Sequence, residues 1–234
     1  MFMGHYGPAV WDSQRGQGQP LLTIWQGFLA VQAIDIVFAL LALFGIEGAT
    51  LENGLPVFSI QWSHSLLTSI MLSILTAGLF LAFKPSLGRK GFLIVSALAF
   101  SHWVFDLIVH RPDLPLYPGS DVIFGFGLWN FPIIAFILEI SLLFAGLLFW
   151  VRVTTPKSIL YKFAPWALFV FMCVLQYVFI TKEGLAVAAG TFDPAGQLTG
   201  PALGATALFA FLFLALLVGL IERGRIPINV KTPV

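Results

Sequence analysis

The sequence predicts an all-α, polytopic membrane protein, one bundle of about six transmembrane helices with both termini cytoplasmic. Three observations predict it. First, 59% of the 234 residues are hydrophobic and only 10% are charged, against about 25% charged in soluble domains. Second, a mean hydropathy of +0.94 leaves too little polar surface to face water. Third, six stretches each approach the roughly 20 apolar residues that cross a hydrocarbon core about 30 Å thick. These numbers exclude a soluble globular domain, a disordered chain and a nucleic-acid binder. The net charge of +1 makes no field that would hold a polyanion. The lone cysteine, Cys173, excludes a disulfide framework and a Cys-rich metal site and reads as an apolar filler. No alternation of apolar and polar residues suggests a β-barrel.

Residues 1–20 form a polar N-terminal segment, and the first apolar run is too long for a signal-peptide core. The first span covers about 22–46 and stops at Glu47-Gly48, with a turn at Asn53-Gly54. The second covers 61–83 and ends at Pro85-Ser86-Leu87-Gly88. The third covers 91–110 and runs into a proline-rich loop over 112–119. The fourth covers 130–151 and the fifth 160–181, followed by Asp193-Pro194-Ala195-Gly196. The sixth covers 201–221. Trp62, Trp129 and Trp150 read as interface belts, and Gln26, Gln32 and Gln176 as interhelical hydrogen bonders. Ten of the twelve Lys and Arg residues fall on one side of the spans: Arg15, the 2–3 loop, the 4–5 segment and the tail. Only Arg111 and Lys182 fall on the other. The positive-inside rule therefore puts both termini in the cytoplasm.

Ionisable residues inside spans are costly, and by default they mark function. Here they are Asp35, His64, His102, Asp106, His110 and Glu139. At 1.5 Å per residue, His64 and Asp106 lie roughly 5–6 Å below the external ends of their helices, His102 about 12 Å, and Asp35 and Glu139 about 14–16 Å. All fall in the external half of the bilayer. His102 and Asp106 are i and i+4, on one helix face, where two side chains can share a cation. His64 has the depth to be a third ligand, His110 continues the stripe, and Asp35 is a fourth ligand or orients a histidine. Glu139 is a candidate general base, with Asp35 as a second catalytic carboxylate. Imidazole and carboxylate without thiolate suit Zn²⁺, or else Mn²⁺ or Fe²⁺. Arg111 is placed to hold an anionic headgroup or to pair with Asp113 across the turn. The bland readings stand beside these. His102 and Asp106 form a lock between helices, His64 an interfacial contact and His110 a helix-end cation. Asp35 and Glu139 are then protonated acids, Asp35 bonded to Gln32.

The element Ser63-His64-Ser65-Leu66, followed by Ser101-His102 and Asp106, resembles a family of predicted membrane-bound metal-dependent hydrolases, the LexA-regulated inner-membrane hydrolases of bacteria. Gly4-His5-Tyr6-Gly7-Pro8-Ala9 and the stretch from Ser101 to Pro115 are similar to one branch of bacterial membrane proteins. The resemblance covers roughly residues 1–150 and implies a role for His5, Asp35, His64, His102 and Asp106 in metal binding. Two departures stand out. The family's Pro-Asp-x-Asp is Ala33-Ile34-Asp35-Ile36 here, one acid instead of two, and Ser63 replaces a threonine. The lost carboxylate argues against a two-metal site. His5 sits on the cytoplasmic side by the charge count, opposite the other candidates. Either its segment re-enters the bundle, or His5 acts elsewhere, or the orientation is reversed. The expectation is a bacterial inner-membrane hydrolase of a lipid or amphipathic (phospho)ester, among membrane lipids. An ion or proton transporter using the same cluster, and an accessory subunit of a membrane complex, are the alternatives.

Overall fold

Five helices in the computed structural model are long and apolar enough to cross a membrane: Leu66–Phe83, Pro85–Val109, Pro132–Val153, Ile159–Ala188 and Gly200–Glu222. A bent pair of helices passes the same test when taken together, as a broken span or a re-entrant loop. Helix α2 (Ile24–Val31) and helix α3 (Ala33–Leu43) meet at an angle of 56°. The structure describes residues 1–12, 21–52, 55–193 and 200–228. The turns read at Asn53-Gly54 and Pro194-Ala195-Gly196, and the cations Arg15 and Lys231, lie outside the described residues.

The other elements, in chain order, are α1 (Tyr6–Asp12), the strands β1 (Gly48–Glu52) and β2 (Leu55–Ser59), a short α4 (Gln61–His64) and α5 (Leu66–Phe83). Then come α6 (Gly88–Val109), β3 (Leu114–Pro115), β4 (Ile123–Phe124), α7 (Pro132–Val153), β5 (Thr154–Pro156) and α8 (Ile159–Gln176). A π turn over Tyr177–Thr181 leads into α9 (Lys182–Ala188), and α10 (Gly200–Glu222) and β6 (Arg225–Pro227) follow. The chain is mostly helical, as expected, and three two-stranded antiparallel pairings add to the helices in the connections: β1 with β2, β3 with β4 and β5 with β6. They form where the connections run alongside each other, so that backbone groups leaving the helices find partners.

The connections alternate between two ends of the bundle. At one end β5 pairs with β6, Lys84 Nζ donates to the Leu21 carbonyl (2.9 Å), and Lys157 Nζ donates to the Arg223 carbonyl (2.6 Å). Arg225 closes this end with bonds to Thr154 Oγ1 (2.7 Å) and the Tyr161 carbonyl (2.7 Å). At the other end lie the β1–β2 and β3–β4 hairpins, tied to α5 through Leu67 N–H on the Leu116 carbonyl (3.0 Å). We call these the basic end and the hairpin end. Between them the outer surface is apolar. Met71, Leu75, Ile137, Val170 and Leu216 are each more than half exposed, as spans facing acyl chains would be.

The N-terminal segment corrects the sequence reading most. Residues 1–10 do not flank the bundle but lie inside it. A 3₁₀ turn (Met3–His5) and α1 pack on α6 and α7, and Met3, His5 and Tyr6 are fully buried. Close approach permits this. A β-carbon on Gly7 would sit 2.6 Å from the Leu142 carbonyl oxygen, and one on Gly146 2.8 Å from that of Gly7. Small residues let helix backbones touch where lipid offers no hydrophobic gain.

Other spans also differ from the reading. The fifth extends to Ala188, through the π turn. Gln26 is not an interhelical bonder; its Oε1 accepts the Thr23 N–H (3.0 Å) and caps α2. Gln176 does bridge elements, accepting the Met3 N–H (3.0 Å). Trp62 is half exposed, as a belt residue would be. Trp150, however, is buried beneath Arg225, 5.9 Å from ring centroid to guanidinium, and Trp129 lies against His110 with the rings tilted by 41° and their centroids 4.3 Å apart.

Candidate metal centre

All four histidines of the chain meet around two carboxylates. Each reaches the site by a different local device. Asp35 sits in the first turn of α3, just after the break at Gln32. His64 ends α4, where Ser65 turns extended (ψ 150°) and restarts the chain as α5. His102 and Asp106 occupy one face of α6, and His110 is its C-cap. His5 closes the buried 3₁₀ turn.

The contacts split by carboxylate oxygen. Asp106 Oδ2 faces His102 Nε2 (3.1 Å) and His64 Nε2 (3.5 Å). Asp35 Oδ1 faces the same two nitrogens, at 3.4 Å and 3.3 Å. Asp106 Oδ1 faces His5 Nε2 (3.2 Å) and His110 Nε2 (3.5 Å), and it contacts the Met1 nitrogen. The His5 and His102 rings stack at 3.6 Å. Apart from Asp35, which is slightly exposed, these side chains are buried. Among the described residues no Lys or Arg side chain pairs with either carboxylate.

The outer hydrogen bonds fix what the inner nitrogens can do. His102 Nδ1 lies 2.8 Å from the Val31 carbonyl, which can only accept, so Nδ1 carries the proton. That carbonyl is free for the task because the helix breaks one residue later, at Gln32. Ser63 Oγ donates its one proton to Glu47 Oε2 (2.6 Å) and therefore accepts from His64 Nδ1 (2.7 Å). His110 Nδ1 donates to Asp113 Oδ1 (2.9 Å). In the neutral imidazoles of His64, His102 and His110, Nε2 thus presents a lone pair to a carboxylate oxygen. Lone pair against lone pair is repulsive unless a proton or a cation lies between them. His102 Nε2 and Asp106 Oδ2 are also buried without a hydrogen-bond partner.

This donor set fits a metal ion. Ligand atoms of His64, His102 and Asp106 all lie within 4.8 Å of one another, as do those of His5, Asp35 and His102. A tetrahedral ion with bonds of ~2.0–2.1 Å to its ligands separates those ligands by ~3.3–3.4 Å. The four imidazole–carboxylate separations among His64, His102, Asp35 and Asp106 run from 3.1 to 3.5 Å. The carbonyl behind Nδ1 of His102, the hydroxyl behind that of His64 and the carboxylate behind that of His110 are the usual supports of metal-binding imidazoles; His5 Nδ1 is buried without a partner.

Of the sequence candidates, the structure brings Asp35, His64, His102, Asp106, His110 and His5 together. It does not bring Glu139 or Arg111 into the cluster. Glu139 is buried, and its Oε2 accepts the N–H groups of Phe2 (2.7 Å) and Gly4 (3.2 Å). It holds the 3₁₀ turn that carries His5. Arg111 donates from Nε to Asn130 Oδ1 (2.8 Å) and does not pair with Asp113, because His110 takes that carboxylate. Sequence reasoning missed Glu47 and Ser63 as supports of His64. Glu47 registered only as a chain breaker, because its partner lies across the β1–β2 hairpin. Asp113 was within reach, three residues from His110.

A cavity of about 120 Å³ adjoins the cluster, with Asp35, His64, Asp106 and His110 on one wall. Phe58, Leu203, Ala207 and Phe211 form an apolar wall. No family model, curated protein or solved structure matches the chain.

Proposed function

We propose that the chain is a membrane-embedded, metal-dependent hydrolase of a lipid or amphipathic (phospho)ester, in a bacterial inner membrane. One divalent ion, Zn²⁺ in the first instance, is held by His64, His102 and Asp106, with Asp35 as fourth ligand. The observation that carries this reading is the set of four imidazole–carboxylate separations at tetrahedral spacing, 3.1–3.5 Å. When bound, the ion supplies Lewis acidity toward the scissile group and draws the pKa of water toward ~7.

The chain's own residues do the rest. Val31 and the Ser63–Glu47 pair hold His102 and His64 with Nε2 inward. Asp35, the more exposed of the two cluster carboxylates, is the ligand that would give way to a water from the cavity and then take its proton. His5 and His110 hold the far oxygen of Asp106 and keep its carboxylate in place. The apolar wall opposite suits the hydrophobic part of a substrate.

Elemental analysis of purified protein tests this. The expected result is about one equivalent of divalent metal per chain, lost in His102→Ala and Asp106→Ala along with ester turnover. A wild type without stoichiometric metal, whose melting temperature and ester turnover ignore a chelator, would overturn it.

One observation favours a second reading, an ion transporter. The first crossing is broken next to the cluster, with the freed Val31 carbonyl turned toward it, and broken helices often frame ion sites in transporters. Metal or proton flux into proteoliposomes, without ester turnover, would establish that reading instead.

A further inference from the structure

A second cavity lies against the first. It holds about 310 Å³ and runs between the π turn and α10, lined by Val178, Phe179, Leu203, Thr206, Ala207 and Ala210. Phe2, Phe58, Leu203 and Ala207 line both cavities, so the two adjoin across these side chains. Phe2 packs edge-on against Phe179 (6.4 Å) and Phe211 (6.5 Å). Phe58, on β2, sits 6.0 Å from His110 and 6.1 Å from Trp129. Two aromatic side chains thus divide a groove from the His/Asp cluster.

The groove arises from two local features. The π turn displaces Val178 and Phe179, which are close to half exposed, and a π bulge is often found at functional sites. On the facing helix, Ala207 and Ala210 leave room. The lining is apolar. Thr206 bonds the Ala202 carbonyl of its own helix (2.8 Å), so its hydroxyl is committed there. Among the described residues Glu183 is the one charged lining residue.

We infer that this groove seats an acyl chain of the substrate, with the ester end passing between Phe2 and Phe58 to the His64–His102–Asp106 cluster. The word substrate rests on the hydrolase reading; the groove is tested apart from it. Its volume is about twice the ~150 Å³ of an apolar cavity that takes benzene, room for several methylene groups. Both walls belong to helices long and apolar enough to lie among lipids, so a chain enters sideways without crossing water.

The test uses the full protein in phosphatidylcholine vesicles carrying a small fraction of phosphatidylcholine with a diazirine on one acyl chain. After illumination, labelled peptides are mapped by mass spectrometry in wild type, Ala207→Phe and Ala210→Phe. The expected result is label on the peptides of Phe2 and Phe58, reduced at least fivefold in both variants. Label on the outward residues Met71 and Leu216 stays unchanged and reports folding. Label confined to outward faces, or interior label that neither variant reduces, overturns the inference. Metal content on the same samples separates the two readings. Interior label without metal would sink the hydrolase and spare the groove; metal without interior label would do the reverse.

Discussion

At the residue scale the candidate centre divides into groups that would touch an ion and groups that aim them. Ser63 is the sharpest case. Removing its hydroxyl takes away the acceptor of His64 Nδ1 but leaves Glu47 with the N–H groups of Trp62 (2.6 Å) and Ser63 (3.0 Å). Ser63→Ala therefore loosens one imidazole without stranding a buried carboxylate. Loss of such a support typically costs 10–100-fold in metal affinity. We expect that range for Zn²⁺ in a metal-buffered titration, with Ser63→Thr restoring most of it. An unchanged affinity would show that the Ser63–Glu47 pair only fastens the hairpin. Legibility at this scale follows sequence distance. His102 and Asp106 announce themselves by i,i+4 spacing, and His64 and Asp35 by polarity within apolar runs. Glu47 could not be found that way. It lies in a connection, where carboxylates are ordinary, and only the folded hairpin brings it to Ser63.

At the element scale the informative parts are those where a helix stops early. The break at Gln32 frees the Val31 carbonyl, and the break at Ser65 lets α4 end at His64. Neither carries a proline or glycine at the break, so a reading by breakers runs each span straight through. The buried N-terminal segment was obscured for another reason. Its polar stretch over 13–20 dominates the composition, while Met3, Tyr6 and Val10, spaced i, i+3 and i+7, mark a buried helical face. Placing that segment in the bundle also resolves the conflict over His5, because the turn enters beside α7 and reaches the cluster from within. The model for this packing is testable through Gly7. A leucine there would drive its side chain into the Leu142 backbone, which cannot yield as a flexible side chain would. Overpacking of this kind typically costs ~1–3 kcal/mol. Gly7→Leu is expected to lower the melting temperature in detergent and, by displacing His5, to weaken metal binding. Gly78→Leu is the control, since a β-carbon there meets nothing within 4 Å. Equal melting temperatures for the two variants would contradict the buried position of α1.

At the scale of the whole molecule the charges sort by end. Eight basic residues of the described chain, Lys84, Arg89, Lys90, Arg152, Lys157, Lys162, Arg223 and Arg225, belong to connections or helix ends at the basic end. The hairpin end has Arg111 and Lys182 against Glu47, Asp113, Asp121 and Glu183. The crossing count and this asymmetry were the most legible features of the sequence, because both depend on composition over long windows and not on individual contacts. By the positive-inside rule the basic end should face the cytoplasm. The hairpins, and with them the side of the bundle nearest His110, should then face outward. Single cysteines can check this in a Cys173→Ala background. Lys90 and Asp121 are both exposed, one at each end. A maleimide that cannot cross membranes is expected to label Asp121→Cys in intact cells, and Lys90→Cys only after the cells are opened. The reverse pattern would invert the protein and put its hairpins in the cytoplasm. On the proposed hydrolase reading a substrate ester would then have to come from the inner leaflet, so the orientation decides which leaflet's lipids such a centre could reach.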